Sequence, residues 1–190
     1  RASMPPLAQL PPLGRLVLAA VVDSHCHALE LFDEYLARGL RGACFMSCTE
    51  ADWAAAAAVT PGARGVHPWW LHKQAAGWEE RLDARLAVTP PTVAVGEIGL
   101  DRARCGLAAF DEQRAAFLVQ LRLAAKHRRA CVVHCVRAQG VLLDILRAEA
   151  SLPPVLVLHA YGGSVESAAE LLKLPGTMVY FGISASTARL

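Results

Sequence analysis

Four stretches of this chain set metal-type donors directly behind apolar runs. Asp23-Ser24-His25-Cys26-His27 closes the run 16–22, Glu97 follows 92–95, His134 follows 130–133 and His159 follows 155–158. Alternate residues of a β-strand share a face, so Asp23, His25 and His27 are predicted to point one way and Ser24 and Cys26 the other. Neutral imidazole is the commonest protein metal ligand, and two with adjacent donor atoms form a chelating pair. By themselves the two rings are equally well read as half-buried core histidines. Glu97 shifts the balance, because a carboxylate buried among apolar strands is costly without a cation. Parity with Val93 and Val95 predicts that it faces the same interior as they do. Two ions bridged by Glu97 would satisfy it, and histidine with carboxylate suits Zn²⁺, Mn²⁺ or similar divalent ions. Asp23 is predicted to accept a histidine N–H and fix its tautomer.

Other polar residues carry weaker expectations. His67 ends a strand but is followed by Pro68, so it is read as lining the pocket rather than as a ligand. Trp69 and Trp70 are read as a structural rim, although either ring could stack on a base. Arg137, three residues beyond His134, is either a fork for phosphate or a solvated loop arginine. His72 and His127 are expected at the surface. The cluster Lys126-His127-Arg128-Arg129 is explained by the preference of cations for a helix C-terminus. Ser164 is a natural N-cap, which accounts for Gly162-Gly163-Ser164 without an anion. No serine sits in a nucleophile elbow, and no cysteine is clearly paired with a base.

These residues must be held by a regular scaffold. Helices are predicted over 30–39, 52–59, 78–86, 110–127, 140–150 and 164–174. Strands are predicted at the run ending in Asp23, then at 42–47, 63–67, 92–95, 130–133, 155–158 and 177–183. Seven alternations with short connections indicate parallel βα units. Donors at the carboxyl ends of strands one, three, four, five and six suit the loop-ringed face of a closed (β/α)₈ barrel. An open doubly wound sheet would gather its site at one switch point, and no Gly-x-Gly-x-x-Gly follows the first strand. The expected fold class is therefore α/β, a TIM-type barrel with about seven of its eight βα units present.

At 190 residues, 54% of them apolar, the chain suits one domain with a sizeable core. Residues 1–15 read as a Pro-rich extension and 16–190 as the incomplete barrel domain. No apolar run approaches the ~20 residues of a membrane span, so no membrane partner is expected. A net charge of +2 does not by itself call for a nucleic-acid partner. Six cysteines without a Cys-x-x-Cys pair fit free thiols in a reducing, cytoplasmic setting. A monomer is expected.

The motifs Asp23-Ser24-His25-Cys26-His27, Gly65-Val66-His67-Pro68 and Gly96-Glu97-Ile98-Gly99-Leu100-Asp101 resemble the TatD family of metal-dependent deoxyribonucleases. So do the helix from Gln113, Val132-Val133-His134-Cys135 and Leu158-His159-Ala160-Tyr161-Gly162-Gly163-Ser164, in the same order. The resemblance implies an amidohydrolase-like barrel with two divalent ions (Zn, Mn or Mg). His25, His27 and Glu97 would hold one, and Glu97, His134 and His159 the other. It implies hydrolysis of phosphodiesters such as DNA by a metal-activated water, with Glu97 positioning that water. The family follows its fifth-strand His closely with Arg and an acidic residue, whereas here Val136 intervenes and Ala138-Gln139 follows Arg137. It also carries a ligand Asp after strand eight, a strand this chain does not reach. Two further readings compete: an impaired barrel acting as a binding scaffold, and an amide or ester hydrolase. The latter often bridges its ions with a modified Lys at the strand-four position, which is Glu97 here.

Overall fold

The computed structural model describes residues 22–27, 37, 41–55, 62–104 and 107–184. Seven strands run β1 (Val22–Cys26), β2 (Gly42–Met46), β3 (Gly62–Arg64), β4 (Ala94–Asp101), β5 (Cys131–Val136), β6 (Val155–Leu158) and β7 (Met178–Phe181). All neighbouring pairs are parallel and the sheet order follows the chain order. The helices are α1 (Asp52–Ala55), α2 (Trp78–Val88), α3 (Leu107–Lys126), α4 (Gln139–Ala148) and α5 (Val165–Leu171). A 3₁₀ turn, Pro68–Lys73, lies between β3 and α2. The sheet is curled. Strands lie ~4.8 Å apart, so a flat sheet would put β1 and β6 about 24 Å apart. Instead the His25 ring at β1 stacks on the His159 ring after β6, with centroids 3.3 Å apart. This is the α/β half-barrel expected of a TIM-type fold.

Two layers of core hold it. Leu82 and Leu86 of α2 and Phe117 and Leu121 of α3 bury against Val95, Ile98, Leu100, Cys131 and Val133 on the outer face of the sheet. The inner face carries a smaller cluster of Met46, Ala63, Ala94 and Val132. Helix α3 also contributes two buried amides seven residues apart, two helical turns on one face. Gln120 receives the Val66 N–H at 2.7 Å and donates to the Val66 carbonyl, and Gln113 does the same for Asp101. The helix thus clamps the backbone on either side of the strand ends that carry His67 and Asp101.

Several sequence expectations need correction. Strand β4 is not confined to 92–95 but runs through the whole Gly-Glu-Ile-Gly-Leu-Asp motif, because its pairing with β5 continues to Asp101. The parity placing Glu97 with Val95 fails. A register shift between Val95 and Ile98 puts Val95 among the helix-facing residues, while Glu97 turns into the barrel. Strand β3 stops at Arg64 instead of reaching His67. His127 is not a surface residue: its ring is half-buried and pairs with Asp83 of α2 at 2.6 Å, beside Lys126. Arg129 is buried and donates to the carbonyls of Leu86, Thr89 and Pro90 at the end of α2. Ser164 caps α5 by accepting the Ser167 N–H. The Pro-rich segment 1–15 and most of the helix expected over 30–39 lie outside the described residues.

Candidate metal centre

Glu97 is the hub. Its carboxylate is 2% exposed, and its N–H is held by the Ser47 carbonyl at 3.1 Å at the end of β2. Oε2 lies 3.1 Å from His25 Nε2 and 3.1 Å from His27 Nε2, and those two nitrogens are 2.9 Å apart. Three ligands around a tetrahedral cation at 2.0–2.1 Å stand about 3.3 Å from one another, so this near-equilateral set of donors fits one. His27 Nδ1 faces the Met46 carbonyl at 3.1 Å, a contact that keeps a proton on Nδ1, so that a cation displacing the Nε2 proton would meet the Nε2 lone pair.

On the other oxygen, His134 Nδ1 lies 3.0 Å from Oε1, and His67 Nε2 is 3.8 Å away. His134 Nε2 is held by Asp101 Oδ2 at 3.1 Å, so a proton stays on Nε2 and a cation would take Nδ1 in place of the proton shared with Glu97. His67 is oriented the other way. Its Nδ1 accepts the Trp69 N–H at 3.2 Å, which leaves the proton on Nε2, pointing inward. His67, Glu97 and His134 form a second group with ligand atoms in cation-binding range, and His25, His27 and Glu97 the first. His159 joins through its stack on His25 rather than through a direct contact with Glu97. The Asp23 side chain lies outside the described residues.

Charge follows this geometry. Burial should raise the Glu97 pKa, but hydrogen bonds from His134, His25 and His27 outweigh it and hold the carboxyl far below the usual range. Burial likewise opposes charge on His27 and His134. For His27 it is overcome by Cys48 and Glu97, which lift the ring to about 10; for His134 it is overcome by Glu97 and Asp101. Burial dominates at His67 and His159, pushing them down to about 3 and about 4. The cluster therefore draws positive charge to Glu97 and keeps two neutral imidazoles beside it, the chemistry of a cation site.

Beyond these residues, a cavity of about 570 Å³ opens over His134 and His159, bordered by Trp69, Asp101, Arg104 and Arg137. Arg137 adopts a left-handed backbone, φ 52°, in the loop after β5. Trp69 is more than a rim, since its indole N–H donates to Asp101 at 2.7 Å. Asp101 is the residue that sequence reasoning passed over. It is 1% exposed and accepts from His134, Trp69 and the Ala103 N–H, which lowers its pKa despite burial. The available signal was a second acid closing the same Gly-Glu-Ile-Gly-Leu-Asp stretch that holds Glu97, again directly after apolar residues. His72 is exposed and takes no part.

The fold and this site define a TIM-type α/β half-barrel with a cluster of metal-type donors inside it. Residues 22–189 match the family model for TatD related DNase, and the chain belongs to that family. It is 37% identical over 123 residues to a 3'-5' ssDNA/RNA exonuclease TatD of Edwardsiella piscicida, covering 63% of this chain and 44% of that protein. The counterpart from Musicola paradisiaca is 31% identical over 163 residues, covering 84% and 52%. Among solved structures, YJJV, a TatD homolog from Escherichia coli K12, superposes with a TM-score of 0.73 at 27% identity, covering 85% of this chain and 68% of that one. The chain spans about half the length of these curated relatives.

Proposed function

We propose that the chain carries the active centre of a divalent-cation-dependent phosphodiesterase that trims single-stranded DNA or RNA. The observation that carries this reading is Glu97, a buried ionised carboxylate whose two oxygens face opposite sets of histidines. His25, His27 and Glu97 would hold one ion, and Glu97, His134 and His159 a second, with Zn, Mn and Mg as the candidates. Bound there, such ions supply Lewis acidity, activating water and offsetting charge on phosphorus. Glu97 positions the attacking water. Asp101 fixes the His134 ring so that Nδ1 faces Glu97. His67 presents a proton on Nε2 toward the Glu97 side of the cluster, suited to a hydrogen bond with a phosphate oxygen held there. Arg137, on the cavity wall, contacts the substrate phosphate. The direction and strandedness follow the names of the relatives, 3'-5' ssDNA/RNA exonucleases. A cytoplasmic setting accords with the thiols of Cys48, Cys131 and Cys135, which stand outside any disulfide. No described helix is long and apolar enough to cross a membrane.

The test is a 3'-labelled single-stranded oligonucleotide incubated with the chain and Mn²⁺, Mg²⁺ or Zn²⁺. Loss of the label that EDTA abolishes and Glu97→Ala removes is the expected result. Equal loss from Glu97→Ala would overturn the assignment.

A further inference from the structure

We propose that Arg104 is a second phosphate contact, gripping the phosphodiester next to the one cleaved, so that the site reads a polynucleotide rather than an isolated ester. This rests on the phosphodiesterase reading above. Arg104 lies in the loop after β4, beside the loop after β5 that carries Arg137, and both border the same cavity. Its guanidinium lies 3.8 Å over the Trp69 ring. Stacking on an indole fixes the guanidinium plane while leaving its N–H edge open, the arrangement that suits a bidentate phosphate.

Trp69 is itself fixed. Its N–H is bound by Asp101, and its ring meets His67 and His134 edge-on at 4.8 and 5.6 Å. One chain of contacts thus runs Glu97, His134, Asp101, Trp69, Arg104, setting the cation at a fixed offset from the metal-type donors. The charge is uncommitted. Arg81, Arg122 and Arg147 on the surface are each ion-paired with a glutamate, whereas among the described residues no carboxylate pairs with Arg104 or Arg137. The cavity's own acid, Asp101, is engaged by Trp69, His134 and the Ala103 N–H. Backbone strain gathers here too: Arg137 and Ala160 (φ 44°) are left-handed without being glycine, and both border the cavity. A pocket of this size exceeds what one phosphate fills and lies in the range that takes a small organic ligand such as a nucleotide.

The experiment has two arms. Binding of 5'-fluorescein-labelled dT6 to the full chain is followed by anisotropy in EDTA, where no turnover occurs, across a salt series. Each phosphate neutralised on a single strand contributes about 0.7 to the slope of log K against log salt. Arg104→Ala is expected to weaken binding about tenfold and flatten that slope by about 0.7, and Arg104→Lys to restore the slope but not the full affinity. In the second arm, the ratio of kcat/KM on dT6 to that on bis(p-nitrophenyl) phosphate, which has one phosphate, is expected to fall about tenfold in Arg104→Ala. Unchanged slope and unchanged ratio overturn the proposal, as does failure of the parent chain to bind dT6. Binding that loses its slope in Arg104→Ala, with no hydrolysis of either substrate by the parent, upholds the phosphate contact and overturns the phosphodiesterase reading instead.

Discussion

Replacing Asp101 by Asn keeps size and shape but removes the acceptor-only character that its surroundings demand. Oδ2 accepts from Trp69 at 2.7 Å and His134 at 3.1 Å, and Oδ1 accepts from the Ala103 N–H at 2.8 Å. An Asn amide turned one way sets N–H₂ against the Ala103 N–H. Turned the other way it sets N–H₂ against the Trp69 N–H and His134. In that second pose the amide donates to His134 Nε2, which moves the imidazole proton to Nδ1 and blocks the lone pair facing Glu97. Losing a hydrogen bond to a charged group costs about 1.5–3 kcal/mol, and disturbing the group that orients a metal-binding histidine weakens metal affinity about 10–100-fold. Asp101→Asn should therefore lower unfolding free energy by about 2–3 kcal/mol in urea and weaken cation binding in calorimetry by one to two orders of magnitude. Asp101→Ala separates the two effects, because it removes the acceptor without imposing the wrong tautomer. An Asp101→Asn protein with parental cation affinity would refute the tautomer argument.

Cation uptake at pH 7 should release one to two protons, because Cys48 with Glu97 raises His27, and Glu97 with Asp101 raises His134, against burial. Calorimetry in buffers of different ionisation enthalpy reads that number. The cation-free protein should be most stable near pH ~6.5, the ordinary histidine value. Below it, the unfolded chain takes up protons that His67 (about 3) and His159 (about 4) refuse in the fold, so stability falls with pH. Above it, the stability gained from a protonated His27 is lost as pH rises through about 10. Melting temperatures across pH 4–10 check the peak. Gly99→Ala should cost about 2–4 kcal/mol and weaken cation binding. A Cβ there would stand 1.9 Å from the His134 carbonyl oxygen at a φ of 149°, and urea unfolding with calorimetry measures both effects.

Much of the fold was legible because parallel βα units repeat one pattern. Short apolar runs, each closed by a polar residue, marked β2 and β6 to within a residue, whereas β5 runs three residues past the expected 133, to Val136. The donors were legible for the same reason: a histidine or carboxylate ending a buried strand must be desolvated, which is costly unless a partner or a cation compensates it. The register shift in β4 was not. Period-two alternation assumes an unbroken ladder, and nothing local announces the residues at which Val95 turns toward the helices and Glu97 toward the barrel. Pro68 was read as ending His67's strand, yet the same turn lets the Trp69 N–H fix that ring over the site. Asp101, Gln113 and Gln120 act across distances of many residues, through partners that become neighbours only once the sheet has curled.

The central claim is that Glu97 gathers His25, His27 and His134, with His159 stacked on His25, into a divalent-cation centre. Titrating the chelator-stripped chain with Zn²⁺ or Mn²⁺ in a calorimeter, beside Glu97→Gln, tests it most directly. The parent should bind the cation stoichiometrically, and Glu97→Gln should lose at least about 100-fold in affinity, since a ligand contributes no less than the groups that orient one. A parent that binds no cation, or a Glu97→Gln protein that binds it equally well, would contradict the account.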